Sequence, residues 1–225
     1  MKPAFQLRFI LAAALCLSAG FVLPGSAQTQ FPPCGNDGAP PAGESQCQCP
    51  EGRQIYRGEY KNTEREYQVR LPDRVAASTE KAPCKSSGFH IYLTHPNTEF
   101  GPDFQRSQVY VGRYERTNQT LQQIAEGFAL AQREDSEKDH ATDLEVAPPA
   151  PTSLSSLAAF DLKAARTEPD HETLVYEEIV AKSPDNYVYF LVMISPAARY
   201  EKNHELFKAV VEGFSYTPAV GVQTR

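Results

Sequence analysis

The residues of this sequence that could take part in catalysis or metal binding are scattered rather than grouped. The five histidines are His90, His95, His140, His171 and His204. Two of them are followed by glutamate, as in the zinc motif H-E-x-x-H, but neither has a second histidine four residues on. A G-x-S-x-G elbow and a glycine-rich phosphate loop are also missing from the sequence. The sequence therefore predicts no catalytic residue, no metal site and no cofactor, and favours a non-enzymatic protein.

One loop could still form a small acid–base or metal site, because His95 is followed by Glu99 and Asp103. Isolated histidines and carboxylates are common on domain surfaces, and we interpret these three as surface residues. The alternative is a secreted hydrolase or metal-dependent enzyme whose site is assembled only in three dimensions. Such an enzyme would show a pocket lined by carboxylates and histidine with perturbed pKa values.

Residues 1–27 have the pattern of a secretory signal peptide. Lys2 and Arg8 precede an apolar run over residues 9–17, and Gly25, Ser26 and Ala27 supply the small residues of a cleavage site. A membrane span needs about 20 apolar residues, which is longer than this run. We expect the mature chain to begin at residue 28 and to be exported to the periplasm or the extracellular space.

The cysteines that follow this segment are Cys34, Cys47, Cys49 and Cys84. An even number of cysteines in an exported chain predicts two disulfides. A bond between Cys47 and Cys49 would close a very small, strained ring, so we expect one of them to pair with Cys34 and the other with Cys84. The alternative, a four-thiolate zinc site, usually has paired ligands at C-x2-C spacing, which this sequence lacks.

The charge of the chain limits the classes of partner. The formal net charge is −6, and removal of residues 1–27 takes away Lys2 and Arg8 but no acidic residue, which leaves −8. Nucleic acids and anionic lipids require a concentrated basic face. We therefore expect no nucleic-acid partner and no membrane span in the mature chain, and the remaining candidates are an envelope protein or a small ligand.

Hydrophobic alternation predicts the first strands and one helix. Residues 66–71, 89–94 and 109–114 alternate between apolar and polar side chains, as half-buried strands do. Thr120 and Gln123 have the spacing of a capping box at the start of a helix. Residues 143–146 and 157–166 are predicted strands, and the prolines between them predict an irregular crossing.

The C-terminal part of the domain is predicted to be strand, turn, buried strand and helix. Residues 174–181 form the first strand, and the uninterrupted apolar run 187–194 is typical of a strand covered on both faces. Ser195 and Pro196 are predicted to cap and open the helix. Its apolar face is formed by Asn203, Leu206, Phe207, Val210, Val211 and Phe214. Helices on both sides of one sheet would explain the buried strand, so we predict an α+β fold, an α/β/α sandwich around a mostly antiparallel sheet.

The chain is therefore predicted to consist of a signal peptide (1–27), a cysteine-, proline- and glycine-rich extension (28–58), an α+β domain (59–218) and a tail (219–225).

The loop 97–106 of the domain contains Phe100 and Phe104. If these rings are exposed, they would form a small apolar anchor for a protein partner, and Tyr92 on the polar face of the preceding strand could extend it.

Two stretches resemble the PsbP-like superfamily, which includes photosystem accessory proteins, a Ran-binding branch and bacterial envelope proteins of the DcrB kind. The first is Tyr60-x-Asn62 followed by the alternating strand from Tyr67 to Pro72. The second is the buried strand that leads into the final helix with Phe207 and its aromatic close at Phe214. The sequence departs from the family pattern by lacking a Trp after Pro72 and by inserting the loop with Cys84. The resemblance implies an α/β/α sandwich that serves as a binding or accessory module of the cell envelope, and it assigns no functional residue.

Overall fold

The computed structural model describes residues 54–79, 88–93 and 106–218. Within these ranges the chain forms two α-helices, α1 (Leu121–Lys138) and α2 (Tyr200–Gly213), and twelve strands. In chain order the strands are β1 (Ile55–Arg57), β2 (Glu59–Asn62), β3 (Tyr67–Arg70), β4 (Ala76–Ser78), β5 (Gly88–Tyr92), β6 (Gln108–Tyr114), β7 (Thr142–Val146), β8 (Ala150–Leu154), β9 (Leu157–Thr167), β10 (Thr173–Lys182), β11 (Val188–Pro196) and β12 (Phe214–Tyr216).

The strands form one large and one small antiparallel sheet. The large sheet has nine strands in the order β1-β4-β5-β6-β11-β10-β9-β7, and β8 pairs with β9 beside this path. The small sheet has the order β12-β3-β2. All described strand pairs are antiparallel. The predicted α+β class and antiparallel sheet are therefore confirmed.

Strand β11 lies in the middle of the large sheet and is covered on both faces, as its apolar run predicts. Tyr189, Leu191 and Met193 enter a core that contains Phe207 of α2 and Phe214 of the small sheet. Val188 enters the second core, which contains Phe128 of α1. We call these two sides of the large sheet the α2 face and the α1 face. Successive residues of a strand point to opposite faces, so an unbroken apolar run is what a strand between two cores requires.

Helix α1 begins at the predicted capping box, and α2 has the predicted apolar face except for Phe214, which is the first residue of β12. The capping box at the start of α1 is present: the backbone nitrogen of Gln123 donates to Thr120 Oγ1 at 3.1 Å, and the backbone nitrogen of Thr120 donates to Gln123 Oε1 at 2.8 Å. In α2, Asn203, Phe207 and Val210 are buried. Gly213 is the last residue of α2 and lies against β3. A Cβ at this position would lie 2.2 Å from the carbonyl oxygen of Arg70, so the close approach requires glycine.

Several short strands lie where the sequence predicted irregular chain. β1 lies within the predicted lead-in, β4 lies in a predicted loop, and β8 replaces the predicted irregular crossing. Each is three to five residues long and is held by a partner strand, so periodicity could not reveal it. Pro151 is tolerated in β8 because this strand lies at the sheet edge.

The predicted start of α2 at Ser195 and Pro196 is also wrong. Both residues continue β11, where they pair with Val175 and Leu174. Ser195 Oγ accepts a hydrogen bond from Asn203 Nδ2 at 2.9 Å instead of capping a helix. A short 3-10 turn follows, and α2 begins only at Tyr200. Pairing with β10 decides between strand and helix here, which a local capping pattern could not show.

Part of the predicted organisation falls outside the described residues. This concerns the signal peptide, the tail, the four cysteines at 34, 47, 49 and 84, and the loop with Phe100 and Phe104. The two disulfides and the domain boundaries therefore stay predictions. None of the helices in the described ranges has the length and apolar character needed to cross a membrane.

Candidate functional site

Two consecutive glutamates of β10 have opposite surroundings. Glu177 pairs in the sheet with Lys163 and Met193, and its side chain contacts α2 on the α2 face. Glu178 is its neighbour and therefore points to the α1 face, where it pairs with Leu162 and Val192. A charged side chain inside a sheet requires an explanation, because burial without partners disfavours the ionised form.

Glu177 is 2% exposed and is held by three donors. Tyr200 Oη donates to Glu177 Oε2 at 2.9 Å, and His204 Nδ1 lies 2.8 Å from the same oxygen. Lys163 Nζ lies 3.2 Å from Oε1. A carboxylate only accepts hydrogen bonds, so the Nδ1 atom of His204 carries the proton. With both oxygens occupied, Glu177 is not placed to remove a proton from a substrate.

The charges around Glu177 form a cluster of two carboxylates and one ammonium group. Lys163 Nζ also lies 3.4 Å from Asp161 Oδ2. Burial lowers the pKa of Lys163, but the charges of Glu177 and Asp161 outweigh this effect and raise it. Burial and then the hydrogen bond to Glu177 raise the pKa of Tyr200 to about 12. We interpret this cluster as structural: its hydrogen bonds and ion pairs hold the first turn of α2 against β9 and β10.

A shallow depression of about 270 Å³ adjoins this cluster at Lys163. Its described lining is Glu145, Val146, Ala147, Lys163, Ala164, Ala165 and Val175. None of these side chains is a hydroxyl or thiol nucleophile. The depression therefore adds no reactive group to the Glu177 cluster.

Glu178 differs from Glu177 in having no hydrogen-bond or ion-pair partner within the described ranges. Among the residues that the structure describes, none donates a hydrogen bond to its carboxyl group, and burial alone raises its pKa to about 7. Carboxyl groups with such values are typical of functional sites, because structural carboxylates are usually paired. Among the described residues, Glu178 is thus a carboxyl group that takes no part in the hydrogen bonds and ion pairs that stabilise the fold.

Three aromatic rings lie on the same face as Glu178, and we call Tyr114, Phe190 and Tyr110 the aromatic patch. The ring of Tyr114 is stacked on Phe190 with centroids 4.0 Å apart, and Phe190 lies 5.3 Å from Tyr110. Tyr114 is nevertheless 60% exposed. Gly112 makes this arrangement possible, since a Cβ there would lie only 2.8 Å from Phe190 Cζ.

Sheet register places Tyr110 in the row of Glu178, whereas Tyr114 lies in the row of Val188 and Lys182, four residues further along the sheet. Glu178 pairs with Val192, Val192 with Tyr110, and Tyr110 with His90, so these four side chains form one row on the α1 face. Burial raises the pKa of Tyr114, and the negative charge of Glu178 raises it further. Helix α1 packs on β7, β9 and β10, so Glu178 lies between α1 and the aromatic patch.

Two pairs of groups in the described part of the chain lie on different faces of the large sheet. The histidine–carboxylate pair of His204 and Glu177 lies on the α2 face, whereas the carboxyl group with the perturbed pKa lies on the α1 face. His90 shares the row of Glu178 but is three strands away, about 14 Å at the usual strand spacing. Within the described ranges, no group of three or more His, Cys, Asp and Glu side chains could hold a metal ion.

Of the partner-binding residues predicted from the sequence, only Tyr92 lies in the part of the chain that the structure describes. Tyr92 lies on the face of β5 opposite Phe89 and Ile91, as predicted, but is only 5% exposed, and its role in partner binding stays a prediction. Phe100 and Phe104 lie outside the described residues. The sequence did not predict a role for Tyr114 or Glu178. The one signal available for them was the pair Glu177-Glu178 inside a largely apolar strand.

The pKa of Glu178 predicts a pH-dependent stability. Its folded value of about 7 lies above the ordinary value of 4.5, so its contribution is fully present below pH 4.5 and is lost as the pH rises through 7. Replacing Glu178 with Gln removes this loss. From pH 4 to pH 8, we expect the free energy of unfolding of the variant to rise by about 2 kcal/mol relative to that of the wild type, after allowance for partial exposure.

Urea unfolding at both pH values measures this difference. The matched control is Glu126→Gln, a substitution of an exposed glutamate on α1. Its free energy of unfolding should show no such change with pH relative to the wild type. An equal pH dependence for wild type and Glu178→Gln would show that the carboxyl group is ionised in the folded protein at ordinary pH.

Comparisons with known proteins found similarity in structure only. No protein-family profile and no curated protein sequence matches the chain. The chain is similar to PsbP (CyanoP) from Synechocystis sp. PCC 6803, with 12% identity and a TM-score of 0.44, over 78% of this chain and 98% of that chain. It is similar to LpqN of Mycobacterium tuberculosis, described as involved in cell envelope biogenesis, with 8% identity and a TM-score of 0.41, over 75% of this chain and 86% of that chain.

A third similar structure is the Ran-binding protein Mog1p of Saccharomyces cerevisiae, with 10% identity and a TM-score of 0.43, over 74% of this chain and 96% of that chain. At these identities and TM-scores we draw no conclusion about function from these proteins.

Proposed function

We propose that this protein is an exported, non-enzymatic binding module of the bacterial cell envelope, and that a protein partner contacts its aromatic patch. The observation that carries the proposal is the side chain of Tyr114, which is 60% exposed although its ring is stacked on Phe190. An exposed but rigidly supported tyrosine is a common anchor of protein interfaces, because little side-chain freedom is lost when it is covered.

Export is supported by the signal-peptide pattern of residues 1–27 and by the four cysteines that follow it. The loop 97–106 with Phe100 and Phe104 remains a second proposed contact. It connects β5 to β6, and β6 also carries Tyr110 and Tyr114. One partner that covers both the loop and the aromatic patch is therefore compatible with the order of the strands.

The proposal is tested by placing a photo-crosslinking amino acid at position 114 of the full chain, expressed in the source bacterium. The matched control places the same group at position 130, because Leu130 is 56% exposed but lies on α1. We expect a discrete crosslinked species from position 114 that is absent from position 130. Crosslinking that is equal at both positions, or absent at position 114, would contradict the proposal.

A further inference from the structure

Three arginines lie close to the end of β6, and two of them are paired with glutamates. Arg113 is 7% exposed and pairs with Glu66 at 3.5 Å. Arg65 pairs with Glu115 at 3.2 Å. The third, Arg116, is exposed, and no carboxylate of the described residues lies within ion-pair distance of it. Its guanidinium group can therefore bind an anion that another molecule supplies.

Arg116 is held in place by the ring of Tyr187. Its guanidinium carbon lies 4.7 Å from the ring centroid, and the guanidinium carbon of Arg113 lies 3.7 Å from the same centroid. A cation close to a ring face is attracted by the ring quadrupole, and a guanidinium group in this position keeps the N–H donors along its edge. Arg116 thus has a supported position and donors that no described acceptor occupies.

The two arginines on one ring favour a negatively charged ligand. Their charges lie at most about 8.4 Å apart, the sum of the two distances to the shared centroid, which is close to the screening length at physiological ionic strength. Like charges at this distance repel each other, and a carboxylate bound to Arg116 reduces that repulsion. Asp185 lies in the turn before Tyr187, but these described residues include no ion pair between Asp185 and Arg116. Acidic residues farther away are screened, so the negative net charge of the chain does not cancel this local preference.

Arg116 is also a neighbour of the aromatic patch. It follows Tyr114 by two residues, so the Cα atoms of the two residues are at most about 7 Å apart. Tyr187, which supports Arg116, directly precedes Val188, and Val188 pairs with Tyr114 across the sheet. One partner can therefore contact the exposed ring of Tyr114 and the guanidinium group of Arg116 together. Tyrosine and arginine are enriched among the residues that contribute most to binding at protein interfaces.

A carboxylate side chain suits Arg116 better than the carboxyl terminus of a partner. Terminal carboxylates are captured by neighbouring backbone N–H groups. Beside Arg116, the N–H of Thr117 already donates to the carbonyl oxygen of Asn186 at 3.0 Å, and the N–H of Gln119 donates to Thr117 Oγ1 at 3.2 Å. A guanidinium group by itself can bind both oxygens of a side-chain carboxylate through two parallel N–H donors.

We propose that Arg116, beside Tyr114, is the binding site for a glutamate or aspartate side chain of the protein partner. This inference rests on the proposed function, since it names the chemistry of the partner that contacts the aromatic patch. Tyr114 supplies apolar contact area, and Arg116 supplies charge-assisted hydrogen bonds.

The test uses the capped peptide acetyl-Glu-Leu-Glu-amide as the probe and acetyl-Gln-Leu-Gln-amide as the neutral control, with binding to the full chain followed by NMR. We expect saturable shifts at residues 114–117 with the acidic probe and none with the neutral one. Arg116→Gln should weaken binding about tenfold or more, the usual effect of removing hydrogen bonds to a charged group. The matched control Arg70→Gln changes an exposed arginine of the small sheet and should leave binding unchanged.

Two further measurements separate a binding role of Arg116 from a structural one. Arg116→Lys keeps the charge but loses the planar pair of donors, so its affinity for the acidic probe should lie between those of the wild type and Arg116→Gln. The melting temperatures of the three proteins should agree within about 3 °C, because Arg116 is exposed.

Several outcomes would overturn the inference. One is equal binding of the acidic and neutral probes, and another is equal binding of the acidic probe by the wild type and Arg116→Gln. A third is binding of acetyl-Gln-Leu-Gln with a free carboxyl terminus that is as tight as binding of the acidic probe, since the site would then recognise a chain terminus.

The two proposals can fail separately. If position 114 crosslinks a partner but the acidic probe does not bind, the interaction surface stands and its carboxylate chemistry is refuted. If the crosslinked partner is captured equally well by Arg116→Gln, the inference about Arg116 is also refuted. If the acidic probe binds but position 114 yields no crosslinked protein, the proposed protein partner is refuted instead.

Discussion

Replacing Phe207 with Ala is expected to lower the free energy of unfolding by about 3–5 kcal/mol, the usual range for truncating a buried phenylalanine. Phe207 is 1% exposed and lies in the core between α2, β11 and the small sheet. The loss has two parts, the transfer of the removed ring and the cavity that remains between rigid neighbours. Urea unfolding monitored by circular dichroism measures it.

The neighbouring residue Lys208 supplies the control on the same helix turn. Its side chain is exposed and pairs only with Glu205, at 2.7 Å. Exposed ion pairs contribute little to stability, so Lys208→Ala should leave the unfolding midpoint nearly unchanged. Similar losses at positions 207 and 208 would mean that α2 does not bury the face described above.

Replacing Glu177 with Gln is expected to cost about 3–5 kcal/mol, the range for breaking a buried ion pair by removing one charge. The substitution keeps the shape of the side chain but leaves Lys163 without its buried carboxylate and puts an amide nitrogen opposite one of the three donors. The change in the free energy of unfolding should be measured at pH 8. At this pH the neighbouring substitution Glu178→Gln is expected to be more favourable to stability than it is at pH 4.

Substitutions at positions 177 and 178 are expected to change stability in different ways as the pH rises. Both substitutions exchange the same two residue types at adjacent positions of one strand. They differ only in the face of the sheet and therefore in the partners of the carboxyl group. If Glu178→Gln lost stability relative to the wild type between pH 4 and pH 8, the ionised carboxyl group of Glu178 would have a stabilising partner in the folded protein.

Some features of the protein are determined by the sequence alone. The apolar run 187–194 is long and rich in β-branched and aromatic residues, so it could only be a strand buried on both faces. Thr120 and Gln123 determine the start of α1 because a capping box closes within four residues. The spacing of Phe207, Val210 and Val211 determines which face α2 buries. All of these are local patterns, so no distant residue is needed to complete them.

Other features are decided only by the tertiary structure. Ser195 and Pro196 satisfy the pattern of a helix start, yet pairing with β10 keeps them in a strand. Tyr92 alternates like a surface residue but is buried. Glu177 and Glu178 cannot be distinguished in sequence, because the environment of each depends on what packs on its face. Tyr200 and His204 come from α2 to surround one carboxylate, and the rings of β6 and β11 lie on the same face as the other without donating a hydrogen bond to it. The candidate site arises from contacts between residues far apart in the chain, and such contacts exist only once the sheet has formed.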